Sequence, residues 1–157
     1  MARRQPPNLL RHLSLSIHRD QKPTEPSRKF KKCSDKRCEF CKIVIDEDSY
    51  TTKNGFKLTR NHAMTCKTRD LIYMIICEGC LEEYIGETGN QINLRTNVHR
   101  NQIENENYAQ LKVSKHIHTC GNNKFKVFPF QKSFKQCHVY REELEEKYRK
   151  LVQPTLH

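Results

Sequence analysis

Hydrophobic and polar positions form strand-like and helix-like blocks from residue 70 onward. The segment "DLIYMIIC" (70–77) is a continuous apolar run with β-branched residues and a tyrosine, and at this length it predicts a buried strand. The segment "EEYIGET" (82–88) follows after a four-residue connection, so the two segments predict an antiparallel hairpin. The two-residue period of a strand places Tyr73, Ile75 and Cys77 on one face.

The next two blocks have the spacing of helices. "GNQINLRTNVHRNQI" (89–103) predicts a helix that Asn90 can cap, with Leu94 and Val98 four positions apart on its buried stripe. "YAQLKVSKHIHTC" (108–120) predicts a second helix, which ends at the glycine that follows it.

One strand and one helix complete the pattern. "KFKVFPF" (124–130) alternates and predicts a third strand, with Pro129 at its end or on a sheet edge. "VYREELEEKYRKLV" (139–152) predicts a helix that Pro154 stops. The apolar stripe of this helix comprises Tyr140, Leu144, Tyr148 and Leu151. The order β-β-α-α-β-α predicts an α/β protein of the α+β type, with a small three-stranded antiparallel sheet flanked by helices.

A cysteine-rich segment precedes these blocks. "CSDKRCEFC" supplies Cys33, Cys38 and Cys41, and "SYTTKNGFKLTR" (49–60) predicts a hairpin with a two-residue turn at its Asn-Gly pair. The hairpin returns the chain and brings Cys66 toward the other three thiols, which predicts a structural zinc site of four cysteines. The alternative is that Cys66 is a free buried thiol and that the other three bind nothing.

The composition raises the weight of the cysteines. The chain has 157 residues, of which 35% are hydrophobic and 30% are charged, so its core is lean for this length. No stretch reaches the roughly 18 apolar residues of a membrane span. The first residues, "MARRQPPNLLRHLSLS", do not have the pattern of a secretory signal, so we expect a reducing compartment in which metal binding is the leading use of the cysteines.

The net charge of +11 is concentrated at the front of the chain. Residues 1–37 hold eleven Lys and Arg against three acids, whereas residues 38–157 hold eighteen against fifteen. This predicts a polyanionic partner, most plausibly nucleic acid, with the arm serving either for docking on phosphates or as a solubilising tail or nuclear import signal. The domain boundaries we predict are a basic, flexible arm (1–32), a cysteine-rich zinc-binding segment (33–66) and a C-terminal domain (67–157).

Residues 70–157 resemble the GIY-YIG nuclease pattern. The resemblance rests on the Tyr73 strand, the "YIG" around Tyr84 with its Gly-x-Thr, and Arg95 four residues before His99. The Cys-x-x-Cys pair between the two tyrosine motifs is similar to one branch, the endonuclease domain of Penelope-like retroelements. The chain departs from the pattern at Leu71, where the first motif has a glycine, and at its last residue, a histidine where the family usually has asparagine.

The resemblance implies a metal-dependent DNA endonuclease that hydrolyses phosphodiester bonds. It implies catalytic roles for Tyr73, Tyr84, Arg95 and His99 and a carboxylate ligand for Mg2+ or Mn2+ on the last helix. The residues alone leave four carboxylates open, Glu142, Glu143, Glu145 and Glu146. The family's spacing before the proline selects Glu145, nine positions before Pro154. Each of these side chains also has a plain structural interpretation, as strand aromatics or solvated charges.

The resemblance also implies a second structural zinc site. Its ligands would be Cys77, Cys80 and a histidine pair, of which the second is replaced here by Asn122. Cys120 takes its place, so the set is Cys77, Cys80, His116 and Cys120, with His118 in reserve. The alternative is a wide turn with two unligated cysteines. Cys137 is left over as a free thiol.

We therefore expect a nuclear protein whose partner is DNA, with no membrane association. A reverse transcriptase domain belongs to such elements, so the resemblance implies either a C-terminal piece of a longer parent protein or a stand-alone derivative. Two other functions stay open: a zinc-stabilised nucleic-acid-binding protein that does not cleave, and a cysteine-rich module that binds another protein through residues 33–41.

Overall fold

The computed structural model describes residues 28–105 and 111–156. The elements of these residues are β1 (Phe30–Lys31), α1 (Glu39–Ile43), β2 (Ser49–Thr51), β3 (Lys57–Thr59), β4 (Met64–Thr65), β5 (Leu71–Cys77), β6 (Glu83–Thr88), α2 (Ile92–Glu104), α3 (Lys112–Thr119), β7 (Phe125–Lys132) and α4 (His138–Val152). They form a mixed α+β structure, as predicted. Within this part of the chain, no helix is both long and apolar enough to cross a bilayer.

The predicted three-stranded antiparallel sheet is confirmed, with β5 between β6 and β7. Every residue of β5 is buried, because both faces of the sheet are covered. Tyr73, Ile75 and Cys77 lie in one hydrophobic cluster with residues of α2 and α3, as the strand period predicts. The alternate residues of β5 lie in a second cluster with residues of α4.

Strand β7 is at one edge of the sheet, and it carries the predicted proline. Pro129 lies opposite Tyr73, next to a register shift between Ile72 and Tyr73, so the missing N–H of the proline coincides with an irregularity of an edge strand. The cysteine-rich segment covers this edge, since the amides of Ile45 and Asn61 donate to carbonyls of β7.

Helix α2 is present, but its predicted buried stripe is wrong. Leu94 is 53% exposed and Val98 is 42% exposed. The buried residues of the helix are Ile92, Thr96, His99 and Ile103. The side chain of Thr96 donates to a carbonyl of its own helix and that of His99 contacts the hydroxyl of Tyr73, so both polar groups are satisfied inside. The N-cap is Gln91 rather than Asn90, without a side-chain cap.

Helix α4 is confirmed, with a change at its C-terminal end. Leu151 is exposed, and Val152 is buried in its place. The helix also buries Arg141, whose guanidinium donates to Asp70 at 2.7 Å and to Glu87 at 2.8 Å. The helix is therefore fixed to the sheet by a charged group as well as by its apolar stripe.

The predicted hairpin of the cysteine-rich segment is also confirmed, as β2 and β3. Its turn differs from the prediction. The amide of Thr52 donates to the carbonyl of Phe56, so the loop between them has three residues. The last of these is Gly55, with φ of +81°. Residues 1–27 of the predicted arm lie outside the described residues, whereas Phe30–Lys31 form β1 and pair in parallel with β4. Phe30 and Cys66 share a hydrophobic cluster with the sheet, so no separate core divides the segment from the C-terminal domain.

Candidate functional site

The first group of candidate ligands comes together as predicted. Strands β1 and β4 run in parallel, so Cys33 and Cys66, which follow them, are delivered to the same end. Cys38 precedes α1 and Cys41 lies in it. The four sulfur atoms lie within 4.8 Å of one another. We call Cys33, Cys38, Cys41 and Cys66 the N-terminal cluster.

The spacing of these sulfurs fits a tetrahedral metal. Ligands about 2.3 Å from a zinc ion are about 3.8 Å apart, and Cys33 Sγ lies 3.5 Å from Cys41 Sγ. Burial, with the neighbouring thiols, raises the pKa of Cys41 to about 12 and that of Cys66 to about 11. A bound cation reverses this preference by stabilising thiolates. The group can therefore hold a metal ion such as zinc.

The second predicted group also comes together. Cys77 ends β5, Cys80 lies in the turn before β6, His116 lies on α3, and Cys120 is the C-cap of α3. Their ligand atoms lie within 4.8 Å of one another, with Cys80 Sγ 3.1 Å from His116 Nε2. We call these four residues the C-terminal cluster. It too can hold a metal ion such as zinc.

A glycine makes the C-terminal cluster possible. A Cβ on Gly79 would lie 2.2 Å from the carbonyl oxygen of Cys120, so only glycine lets the turn approach the end of α3 so closely. The reserve ligand is not used, since His118 Nδ1 lies 2.9 Å from Asn123 Oδ1. Cys137 is exposed at the start of α4 and belongs to neither cluster.

An open cavity of about 460 Å³ lies beside β6 and α2, and we call it the tyrosine cavity. It is lined by Tyr84, Arg95, His99 and Gln102, together with residues 111–114. Three of the predicted catalytic side chains, from a strand and the helix that follows it, thus face one space.

Tyr73 organises these side chains from beneath the cavity. Its ring is fully buried, and its hydroxyl accepts a hydrogen bond from Arg95 Nε at 3.1 Å and contacts His99 Nε2 at 2.7 Å. Gly86 is the residue opposite Tyr73 on β6, and a Cβ there would lie 2.9 Å from the Tyr73 hydroxyl. The glycine of "YIG" is therefore required for Tyr73 to reach Arg95 and His99.

Burial sets the protonation of this group. It raises the pKa of Tyr73 well above its usual range, and it raises that of Tyr84 together with the charge of Glu145. Burial and the adjacent Arg95 lower the pKa of His99 to about 3. His99 is thus neutral at physiological pH. We therefore assign the Tyr73 hydroxyl as the hydrogen-bond donor and His99 Nε2 as the acceptor.

Glu145 lies beside the cavity rather than in its lining. It is on α4, which packs against β6, and its negative charge acts on Tyr84 and Tyr73. Its carboxylate accepts from Arg149 Nη2 at 2.6 Å. The five residues that the resemblance singles out therefore lie in one region of the molecule. The last residue of the chain, His157, lies outside the described residues.

Sequence reasoning missed Arg141. A Cβ on Gly89 would lie 2.6 Å from a guanidinium nitrogen of Arg141. The glycine after "YIGET" is therefore needed to leave room for a buried arginine. That glycine was the available signal, but its partner lies far away in the sequence.

Comparison of the chain with protein-family models, with curated proteins and with solved structures finds no match.

Proposed function

We propose that the chain is a metal-dependent DNA endonuclease of the GIY-YIG type, derived from a Penelope-like retroelement, which hydrolyses phosphodiester bonds in the tyrosine cavity. The observation that carries this proposal is the contact of Arg95 and His99 with one buried phenol, Tyr73, beneath an open cavity that a second phenol, Tyr84, also lines. Such convergence of an arginine, an imidazole and two phenols suits charge stabilisation around a phosphate.

Arg95 is the phosphate-binding residue of this proposal. Its planar guanidinium matches two phosphate oxygens at once, and the bond from Nε to Tyr73 fixes the plane before substrate arrives. Pre-orientation of this kind lowers the entropy that the transition state has to lose.

The two phenols differ in their access to substrate. Tyr73 is fully buried and acts as a positioning residue, whereas Tyr84 lines the cavity and can touch the attacking water. Because burial keeps Tyr84 protonated, it orients the water through its hydroxyl. Nε2 of neutral His99 already accepts from the buried Tyr73 hydroxyl, so His99 fixes Tyr73 and does not take the water's proton, which passes to solvent in the open cavity.

Glu145 is the carboxylate that would hold Mg2+ or Mn2+. A carboxylate oxygen is the hard ligand such a cation prefers, and the cation would polarise the scissile phosphate. Arg149 already shares this carboxylate, so cation binding has to compete with an ion pair.

That ion pair favours a second candidate, a zinc-stabilised nucleic-acid-binding protein without cleavage. If Arg149 holds Glu145 too firmly for a cation to bind, the cavity still binds phosphate through Arg95 but hydrolyses nothing. In both cases DNA is the partner, which the net charge of +11 supports. The proposal includes a nuclear location and a longer parent protein with a reverse transcriptase domain, both from the family resemblance.

Nicking of supercoiled plasmid in Mg2+ tests the proposal. We expect Arg95→Ala and Glu145→Gln to lower the nicking rate by about 10²-fold or more, because each removes charge from the reacting phosphate. The chain offers two matched controls, Arg100→Ala on the same helix and Glu146→Gln on α4, whose side chains lie outside the cavity lining.

Both control variants should nick plasmid within a few-fold of wild type. The behaviour of the wild-type protein decides between the two candidates. If wild type retards plasmid in a gel without nicking it, the second candidate holds. If it neither binds nor nicks DNA, both candidates fail.

A further inference from the structure

Aromatic and basic side chains meet on the surface where β7 leads into α4. Phe134 is 72% exposed, which is unusual for a large apolar ring, and the ring of His62 packs edge-on against it at 5.7 Å. Tyr140 is half-buried in the first turn of the next helix. We call His62, Lys132, Phe134, Lys135 and Tyr140 the β7–α4 patch. None of these residues lines the tyrosine cavity.

Each aromatic ring of the patch has its own cation. The ammonium of Lys132 lies 5.8 Å from the centre of the Phe134 ring, and that of Lys135 lies 4.6 Å from the centre of the Tyr140 ring. The carboxylates of Asp70, which precedes β5, and of Glu87, on β6, are bound to Arg141. The patch therefore presents positive charge beside aromatic faces.

The backbone under the patch is fixed. The amide of buried Ser133 donates to the carbonyl of Asp70 at 2.7 Å, and its hydroxyl donates to the carbonyl of Lys135 at 2.9 Å. The side chain of Asn61 both donates to and accepts from the backbone of Lys132. Phe134 is thus held outward on a turn with four such bonds, so its exposure is a feature of the fold.

A rigid exposed ring with flanking ammonium groups matches one kind of partner. Unpaired bases offer a free face for stacking and a phosphate on either side, whereas the bases of a duplex are already stacked on each other. We propose that the β7–α4 patch binds single-stranded DNA, with a base stacked on Phe134 and the adjoining phosphates held by Lys132 and Lys135. The choice of DNA over RNA rests on the proposed function.

Fluorescence tests the stacking directly, because the chain contains no tryptophan. The variant Phe134→Trp places a single indole in the patch. Titration with a 20-nucleotide oligothymidylate, in buffer with zinc but without Mg2+, should quench its emission to saturation. The matched control is Leu151→Trp, also at an exposed position but on a surface with three glutamates and two lysines and no second exposed aromatic ring in its lining. Quenching of neither indole, or of both alike, would overturn the proposal.

Affinity provides the second measurement. By anisotropy of the labelled oligonucleotide, Phe134→Ala should bind about tenfold more weakly than wild type, the loss expected for one stacked base. Val139→Ala, another exposed apolar position, in the first turn of α4, should bind within twofold of wild type. The Phe134→Ala loss should be absent with a duplex of equal length. An equal loss on the duplex, or tighter binding of an RNA oligomer, would contradict the proposal.

The two proposals can fail separately. Binding is measured without Mg2+, so quenching of the Phe134→Trp indole in a protein that nicks no plasmid supports the patch and removes the nuclease. Nicking that depends on Arg95, in a protein whose indole is not quenched, supports the nuclease and removes the patch.

Discussion

The two cysteine clusters have the same ligand number but hold different parts of the molecule. The N-terminal cluster abuts the start of α2, where the amide of Asn93 donates to the carbonyl of Cys66 and the amide of Ile92 donates to that of Thr68. These carbonyls satisfy two of the amides that every helix start leaves open. A cluster ligand therefore fixes the helix that carries Arg95 and His99.

The C-terminal cluster acts from the other side. Cys77 ends the strand that carries Tyr73, and His116 lies on α3, whose first residues line the tyrosine cavity. One cluster thus positions the helix with the cationic and imidazole groups, and the other positions the phenol strand and the opposite wall. The difference teaches that a lean chain can define a cavity by fixing each wall through its own group of candidate metal ligands.

Loss of either metal is the largest effect we expect. Cys66→Ser should remove one zinc ion and Cys80→Ser the other, from two per chain in wild type. A structural zinc contributes on the order of 10 kcal/mol, which equals the whole stability of a typical domain, so each variant should be unfolded at 25 °C. Elemental analysis and circular dichroism measure both results.

Cys137→Ser is the matched control, because its thiol is exposed and outside both clusters. It should keep two zinc ions and the wild-type melting temperature. A Cys66→Ser or Cys80→Ser protein that retains two zinc ions would show that the corresponding cluster is no metal site.

The N-terminal cluster could be predicted from sequence because Cys33, Cys38 and Cys41 are closely spaced and a hairpin returns the chain to Cys66, whereas the ligands of the C-terminal cluster were implied by the family resemblance. The strands were equally accessible, since "DLIYMIIC" has no polar residue after its first position. The buried face of α2 was not. Its polar Thr96 and His99 are inside and its apolar Leu94 is outside, since the partner of His99 is a tyrosine hydroxyl on another element. Hydrophobic spacing contains no information about such a partner.

Arg60 was also beyond prediction, and it provides the next test of the comparison. Its fully buried guanidinium donates to the carbonyls of Ile45, Glu47 and Pro129, at 2.9 to 3.0 Å, and lies 4.9 Å from the centre of the Phe128 ring. It thereby joins the cysteine-rich segment to β7 without any metal. A single arginine after a short strand has no sequence signal of this role.

Arg60→Met should lower the free energy of unfolding by about 3–5 kcal/mol, because several buried carbonyls lose their donors at once. Urea denaturation measures this loss. The variant should keep both zinc ions, which would separate the attachment of the N-terminal segment from metal binding. Lys132→Met, which removes a half-buried cation at the end of β7, should cost less than about 1 kcal/mol. A loss in Arg60→Met as small as that would show that the carbonyls find other partners.

The smallest effect concerns His99, which lies between the two walls. The unfolded chain binds a proton on this residue near pH 6.5, whereas the folded chain binds it only near pH 3, because burial and Arg95 oppose the charge. The stability that neutral His99 provides is therefore complete above about pH 7 and decreases as the pH falls, by up to about 1.4 kcal/mol per pH unit.

Metal ligands also take up protons in acid, so the useful quantity is the difference between wild type and His99→Gln, which share both clusters. Between pH 7 and pH 5, wild type should lose about 2 kcal/mol more than His99→Gln in urea denaturation. If the free energies of unfolding of the two proteins fall in parallel with pH, His99 is protonated in the folded protein. Our assignment of a neutral imidazole at the cavity would then be wrong.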